Sequence, residues 1–416
     1  MIICFTFPPA PGIGGRRWAK FAKYLCRKGY DIRVLTNNNT STEASSWNQD
    51  IEEYRDKIVE IPSNYPTYLG VSPKSITEKI LYRLSLLYVK IFAKGNYYDR
   101  GAFWKRNINQ AVEKYIGEGF NTIIVSAPPY RVAHHLLDVK AKYPNVQFIF
   151  DLRDPWDVDS SIQGFSSLSE NRKRFEVSTH EEVVKKFDKI ICVSQHMTNF
   201  YLKKYPNKSN AFYTLTNGFD KEDYSSAGID RTSDLSGDNK IKFVYAGSFY
   251  PGTRHVLEKL IQTLKELDED TYHKLQFEFY GNVPDFFVPA IKSCSDIMSY
   301  GGYLSLNEVY QKINAADYVM LFLLDDINYS FSTKFYEYIS QNKPIVLLCQ
   351  GDSPTGEYIK NNDLGYFANF GNMKDELVRL VENHEKGVRK TPQDNLDVSG
   401  HDVKNITDEL IHLIEK

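Results

Sequence analysis

Short apolar runs alternate along the chain with longer stretches in which apolar residues recur every three or four positions. In the first half the short runs predict strands at residues 2–7, 31–36, 122–126, 147–151, 189–193 and 212–215. The longer stretches predict helices at residues 16–28, 132–143, 170–187 and 196–205. This alternation is typical of a parallel sheet that is covered by helices on both faces.

The same pattern restarts in the second half. Strands are predicted at residues 241–246, 275–280, 297–300, 318–324 and 345–348, with helices at 255–267, 307–315, 332–339 and 403–414. Ser305 and Glu308 form a capping box that marks the start of one of these helices. The fold class is therefore α/β, with two Rossmann-like, doubly wound domains that face a central cleft.

A polar, aromatic-poor bridge separates the two patterns. We expect an N-terminal domain over residues 1–222, a linker at 223–239 and a C-terminal domain over 240–398. Residues 399–416 form a last amphipathic helix, which we expect to pack back on the N-terminal domain.

Charge, histidine and cysteine counts and the length of apolar runs argue against nucleic-acid binding, a metal site and a membrane span. The net charge of −2 gives no global case for nucleic-acid binding, and nine scattered His suggest no metal set. Five cysteines without a C-x-x-C pair are typical of reduced, buried thiols in a cytoplasmic protein. The first apolar stretch is broken at once by prolines and no later run reaches the roughly 20 residues of a membrane span, so neither a signal peptide nor a span is expected.

The segment from Ser332 to Ile339 carries the chemistry that organises the second domain. A helix that starts just after a strand presents unpaired N–H groups and the positive end of its dipole, and Ser332, Thr333 and Lys334 lie in its first turn. Glu337 lies one turn further on the same side, where a carboxylate can accept both hydroxyls of a ribose. These residues together predict a nucleotide site, and the alternative is a surface helix with a Lys–Glu pair.

Glycines follow the first strand of each domain. Gly14 and Gly15 in the first domain, and Gly247 in the second, allow a ligand to approach the backbone ahead of a helix N-terminus. The alternative is a plain strand-to-helix turn.

Asp151, Arg153 and Asp154 end a strand of the first domain, where ligand-facing groups lie in doubly wound folds. We expect Asp151 or Asp154 to orient an acceptor hydroxyl or accept its proton. The three residues can equally form a structural ion-pair cluster.

Six motifs, in this order, resemble those of the GT-B glycosyltransferases, in particular the retaining family 4 enzymes of bacterial surface polysaccharide synthesis. They are F-P-P-x-x-G-x-G-G-x-R from Phe7, V-S-A-P-P from Val125, D-L-R-D-P-W from Asp151, N-G-F-D from Asn217, Y-A-G-S from Tyr245 and K-F-Y-E-Y-I-S-x-x-K-P from Lys334. The resemblance covers nearly the whole chain. It implies a GT-B fold and transfer of a sugar from a nucleotide diphosphate sugar, with a UDP-sugar the expected donor.

The resemblance also implies roles for residues. Family 4 enzymes commonly hold the diphosphate with an Arg just after the glycine and a Lys six residues later, and this chain has Ser248 and Arg254 there. Arg254 keeps a cation, and Lys334 can replace the missing charge. The stretch Gly302, Tyr303 and Leu304 matches the backbone that reads the base, with a strand-to-helix turn as the alternative.

After Ser248, a second position departs from the family pattern. The second Glu of the family motif E-x(7)-E matches Glu337, but the first falls on Tyr329. In the family the first Glu faces the donor sugar, so this motif does not identify the sugar here.

The function expected from these residues is that of a hexosyl- or N-acetylhexosaminyltransferase acting with retention and without a metal. Arg254, Lys334 and helix N-termini would stabilise the departing diphosphate, and the acceptor would be a glycan or a lipid-linked sugar. The alternatives are a nucleotide-sugar epimerase of GT-B fold and a non-catalytic nucleotide-sugar-binding subunit.

Residues 74–106 predict contact with the inner face of the cell membrane. They hold eight basic residues against Glu78 and Asp99, a local charge of +6 in a chain of net −2, beside many apolar and aromatic residues. This combination suits a helix in an anionic headgroup layer. The alternative is a helix packed on its own domain, whose lysines cover apolar surface.

Overall fold

A computed structural model of the protein describes residues 1–10, 13–38, 47–70, 72–156, 164–225, 240–324, 330–388, 390–392 and 396–416. The chain forms two compact units. Unit 1 contains Met1–Thr216 and Thr407–Lys416, and unit 2 contains Asn217–Ile406.

Unit 1 is built on a parallel sheet of seven strands in the order β3-β2-β1-β4-β5-β6-β7. The strands are β1 Ile2–Cys4, β2 Val34–Asn37, β3 Ile58–Ile61, β4 Thr122–Ala127, β5 Gln147–Leu152, β6 Lys189–Cys192 and β7 Phe212–Thr214. Buried apolar residues run along the central strands without alternation, as expected when helices cover both faces. The sequence pattern had missed β3, whose residues are only partly buried.

Within the residues that the structure describes, seven α-helices of unit 1 connect these strands. They are α1 Ile13–Arg27, α2 Ile76–Phe92, α3 Lys105–Gly117, α4 Arg131–His135, α5 Leu137–Lys142, α6 Glu170–Lys186 and α7 Gln195–Lys204. Helix α1 begins three residues before the predicted start, so Gly14 and Gly15 lie inside its first turn. The stretch predicted as one helix at 132–143 is divided between α4 and α5.

Unit 2 has a parallel sheet of six strands in the order β10-β9-β8-β11-β12-β13. The strands are β8 Ile241–Ala246, β9 Leu275–Tyr280, β10 Met298–Tyr300, β11 Tyr318–Phe322, β12 Ile345–Leu348 and β13 Gly365–Ala368. Counted from β8 the order is that of the dinucleotide-binding fold, and it reverses between β8 and β11. A ligand crevice is expected at the carboxyl ends of these two strands.

The α-helices of unit 2 flank this sheet on both faces. They are α8 Glu222–Ser225, α9 Arg254–Lys265, α10 Glu269–Lys274, α11 Val288–Lys292, α12 Leu306–Ala315, α13 Thr333–Ser340, α14 Pro354–Asn361 and α15 Met373–Glu385, and α16 Val403–Glu415 follows at the end of the chain. The capping box predicted for Ser305 and Glu308 is confirmed at the start of α12. The two layers of helices bury separate apolar clusters against opposite faces of the sheet.

The unit boundaries differ in detail from the expected domain boundaries. Residues 217–222 had been placed in the N-terminal domain, but they belong to unit 2, where Phe219 is buried and its backbone pairs with Asp402. Most of the predicted linker, residues 226–239, lies outside the described residues. Thr407–Lys416 belongs to unit 1, where Lys28 pairs with Asp408 at 2.5 Å. Among the described residues no helix is long and apolar enough to cross a membrane.

Candidate functional site

The carboxyl ends of β8 and β11 bring the predicted nucleotide residues of unit 2 together. Gly247 follows β8 directly, and α13, which carries Lys334, follows β11 after a loop. Because all strands of the sheet are parallel, both segments leave it at the same edge. This is the edge where the strand order reverses.

Lys334 lies directly against Gly247. A β-carbon added to Gly247 would lie 2.1 Å from both Cε and Nζ of the lysine, so only glycine admits the side chain in this position. The ammonium also lies 5.1 Å from the centre of the Tyr245 ring, within the range of a cation–π contact. The lysine is thereby held at the edge of the sheet.

Burial lowers the pKa of the Lys334 ammonium, and the nearby Tyr250 and Glu337 oppose that effect. A lowered pKa means that the surroundings do not fully compensate the positive charge. An anion beside the ammonium would supply that compensation.

Two more glycines, Gly281 and Gly302, lie beside Gly247 at the carboxyl ends of β9 and β10, and the three form a row of glycines. Gly281, with φ +109°, packs on Gly247 so closely that an added β-carbon would lie 2.5 Å from the Gly247 carbonyl oxygen. Its N–H donates to the Gly302 carbonyl at 2.8 Å, which links the ends of β8, β9 and β10. Sequence analysis missed Gly281, although it follows β9 just as Gly247 follows β8.

The first turn of α13 is capped by its own side chain. The Ser332 hydroxyl oxygen accepts the N–H of Phe335 at 3.3 Å, so one of the helix donors expected for an anion is already satisfied. Thr333 and Glu337 are half-buried on the same side of the helix as Lys334. The structure therefore keeps the lysine, threonine and carboxylate together, and Ser332 acts as the helix cap.

Arg254 and Ser248 lie in the loop and helix after Gly247. Arg254 is the first residue of α9, but its Nε donates to Glu258 at 2.7 Å and its guanidinium lies over Phe286 at 5.9 Å. The carbonyl oxygen of Ser248 accepts the Tyr245 hydroxyl at 2.8 Å. In this arrangement the Arg254 side chain is paired with Glu258 through Nε, whereas Lys334 lies against Gly247.

The stretch predicted to read a base lies beside the glycine row. Gly302 has φ +77°, which favours glycine, and Tyr303 is 75% exposed. Leu304 packs against the core of unit 2. Tyr329, the departure from the family motif, lies outside the described residues.

In unit 1 the predicted acceptor carboxylates differ from one another. Asp151 is fully buried, and its carboxylate accepts the Trp18 indole N–H at 2.5 Å and the Ser126 hydroxyl at 2.9 Å. Arg17 lies 3.6 Å from the other carboxylate oxygen. Asp151 therefore lies in a buried ion pair with Arg17 of α1, whereas the alternative left open by the sequence had grouped it with Arg153 and Asp154.

Asp154 is half-buried and lies in the loop after β5. Its backbone carbonyl accepts the Tyr130 hydroxyl at 3.2 Å.

Arg153 repeats in unit 1 the relationship of Lys334 to Gly247. A β-carbon on Gly14 would lie 2.1 Å from an Arg153 guanidinium nitrogen, while the guanidinium donates to the Pro128 carbonyl at 3.1 Å. Gly15 packs on the chain itself, since its added β-carbon would lie 2.2 Å from the Thr6 carbonyl oxygen. The absence of a side chain at Gly14 thus leaves room for the Arg153 guanidinium. At Gly15 it leaves room for the backbone of the loop before α1.

Among the described residues no three His, Cys, Asp or Glu side chains come together as a metal site requires.

Comparison with known proteins supports the fold. No family model matches the sequence, and no curated protein matches it. Among solved structures, sucrose-phosphate synthase from Thermosynechococcus elongatus matches with a TM-score of 0.65 at 10% identity, over 100% of this chain and 97% of that one. HepE from Anabaena in complex with UDP-glucose matches with a TM-score of 0.63 at 12% identity, over 100% and 99%.

A glycosyltransferase from Rickettsia africae matches with a TM-score of 0.60 at 13% identity, over 100% of this chain and 97% of that one. These similarities extend over the full length and agree with the strand orders of both units. The chain has the two Rossmann-like domains of the GT-B fold.

Proposed function

We propose that the protein is a retaining glycosyltransferase that moves a hexosyl or N-acetylhexosaminyl group from a UDP-sugar to a glycan or lipid-linked acceptor, in surface polysaccharide synthesis. The observation that carries the proposal is Lys334, held against Gly247 where the strand order of unit 2 reverses. The similar structure HepE was solved with UDP and with UDP-glucose, which supports a uridine donor.

The donor would bind with its diphosphate at Lys334. Lys334 lies in the N-terminal turn of α13, and Glu337 lies one turn further along the same side, where its carboxylate would accept the hydroxyls of a ribose. Gly302 and Tyr303 would border the base. Charge at the diphosphate grows as the sugar leaves, so a fixed cation there stabilises the transition state more than the ground state.

Arg254 would join this site by exchanging Glu258 for a phosphate. Its ion pair with Glu258 is exposed, and exposed pairs contribute only about 0.2–1 kcal/mol, so the exchange costs little. A guanidinium can bind two phosphate oxygens at once. Asp154 of unit 1 would then serve the acceptor hydroxyl.

Turnover separates this proposal from its alternatives. The protein is first screened by thermal shift against UDP, GDP, ADP and their glucose derivatives, because a ligand that binds only the native state raises its stability. The stabilising sugar nucleotide is then incubated with and without a membrane lipid extract that contains lipid-linked sugars.

Nucleoside diphosphate released only with the extract supports a transferase. An isomerised donor sugar would show an epimerase instead, and binding without either product would show a non-catalytic subunit.

A further inference from the structure

Helix α2 exposes an unusual amount of apolar surface. Seven of its side chains are between 45% and 78% exposed, namely Ile76, Ile80, Leu84, Leu87, Tyr88, Ile91 and Phe92. They are seven of the fifteen large apolar side chains that are exposed in the described part of the chain. Scattered exposed apolar residues are ordinary, but a contiguous set on one helix marks an interaction surface.

The helix has three distinct sides. At about 100° per residue the seven exposed apolar side chains fall within an arc of roughly 160°. The exposed basic residues Lys79, Arg83 and Lys90 fall together along one margin of that arc. Leu86 and Val89 lie on the remaining side and pack against the body of unit 1.

The protein fixes α2 in this orientation. Ser75 and Glu78 form a capping box at its start. At its end the Arg172 guanidinium donates to the carbonyls of Lys90 at 2.6 Å and Ala93 at 2.8 Å. The exposed arc therefore belongs to a well-held helix. The alternative left open by the sequence, a helix packed on its own domain, applies only to the side of Val89.

We infer that this arc inserts into the headgroup layer of an anionic membrane. The margin of cations indicates the occupant. Lys79, Arg83 and Lys90 form no ion pair in the described part of the chain, although the Lys90 ammonium lies 5.4 Å from the centre of the Tyr97 ring. The three cations would lie at the level of the lipid phosphates while the apolar arc enters below them. The nearby Lys105, by contrast, is already paired with Asp138 at 2.7 Å. An interface with a second copy would place these cations against one another, which disfavours it.

The inference goes beyond the transfer reaction and is independent of the donor site, because it rests on α2 alone. It also gives a lipid-linked acceptor a surface from which to reach unit 1.

Flotation of the full-length protein with vesicles tests it. The vesicles contain phosphatidylglycerol and phosphatidylcholine in equal parts, and pure phosphatidylcholine vesicles serve as the uncharged comparison. We expect binding to the anionic vesicles and a roughly 100-fold or greater loss of partitioning on Lys79→Glu, Arg83→Glu and Lys90→Glu together, since each basic residue contributes about one factor of five. The pair Leu84→Glu and Ile91→Glu should lose at least as much, because it puts charge into the inserted arc.

Matched variants elsewhere on the surface are the controls. Lys265→Glu, Lys292→Glu and Lys374→Glu make the same charge change at exposed positions of unit 2, and Phe200→Glu with Val388→Glu makes the same apolar change. Both control proteins should bind vesicles like the wild type.

Three outcomes would overturn the inference: no binding to anionic vesicles at low salt, equal loss in the controls, or a concentration-dependent dimer in sedimentation that the Leu84 and Ile91 variant abolishes while vesicle binding persists. None of these outcomes depends on turnover. They therefore test membrane binding independently of the proposed transferase activity.

Discussion

The ammonium of Lys334 and the α-carbon of Gly247 are in such close contact that a single added methyl group would overlap the lysine, 2.1 Å from its Nζ. The residues are far apart in sequence and meet because β8 and β11 are neighbours in the sheet. Position 247 therefore requires glycine because of this contact. The backbone conformation at the end of β8 would accept other residues.

Gly247→Ala should therefore weaken binding of a nucleoside diphosphate without unfolding the protein. The methyl group meets the flexible end of a lysine, which can move away, and the loss should approach that of a charge-assisted hydrogen bond, about 1.5–3 kcal/mol. Titration calorimetry with UDP measures it. Gly117→Ala is the control, because its methyl would meet nothing within 4 Å. Wild-type affinity in Gly247→Ala would show that Lys334 does not hold the ligand from this position.

Ligand binding should also take up protons at alkaline pH. Burial lowers the pKa of Lys334 in the free protein, and a diphosphate beside it raises that pKa again. Affinity should accordingly fall as the pH rises through the lowered pKa, at a pH below the ordinary lysine value of about 10.4.

Calorimetry at a pH of about 9 in two buffers with different ionisation enthalpies detects this uptake. The apparent binding enthalpy should differ between the buffers for the wild type and be the same for Lys334→Arg, which does not titrate. Equal enthalpies for the wild type would mean that the lysine stays protonated throughout.

Asp151→Asn should lower stability, whereas Asp154→Asn should lower turnover. Loss of the buried Asp151 charge leaves Arg17 without its carboxylate and should lower the free energy of unfolding by about 3–5 kcal/mol. Asp154→Asn should keep its stability and lose turnover by about 10²- to 10⁴-fold if it serves as the acceptor's base. Urea unfolding and an acceptor-dependent assay separate the two, and the assignment fails if Asp154→Asn retains full activity.

His135 should make unit 1 sensitive to acid. Burial and then the charge of Arg131 lower its pKa to about 3, so it stays neutral in the folded protein at a pH where the unfolded chain, with a pKa of about 6.5, is protonated. Because the unfolded state then binds more protons, stability falls as the pH drops below about 6.5. Asp99, whose pKa burial raises to about 6, acts in the opposite sense, since the folded state holds its proton longer.

Comparison of variants isolates the histidine. The wild type should lose about 2–3 kcal/mol more than His135→Gln between pH of about 7 and 4.5. His273→Gln, at an exposed position of α10, should keep the wild-type loss. Parallel pH curves for the wild type and His135→Gln would exclude this role.

The sequence identified those parts of the fold and site that depend on near neighbours in the chain. Lys334 and Glu337 share a face of one helix, so their spacing alone placed them together, and every predicted strand has a counterpart in the sheets. Contacts that depend on the strand order were less visible. Gly281 packs on Gly247 only because β9 lies beside β8.

Burial was the second property that the sequence did not reveal. Asp151 ends a strand as a ligand-facing carboxylate would, but Trp18 and Ser126 from other elements cover it. Conversely, the basic and apolar residues of 74–106 were evident in the sequence, yet only the structure shows that most apolar side chains of α2 are exposed.

Calorimetric titration of UDP and of uridine into Lys334→Met tests most directly whether Lys334 holds the diphosphate of a nucleotide donor in unit 2. The exposed Lys265→Met is the control. We expect Lys334→Met to weaken UDP binding by about 1.5–3 kcal/mol and to leave uridine binding unchanged, because the lysine meets only the phosphates. If a folded Lys334→Met protein binds UDP as tightly as the wild type, Lys334 does not hold the diphosphate.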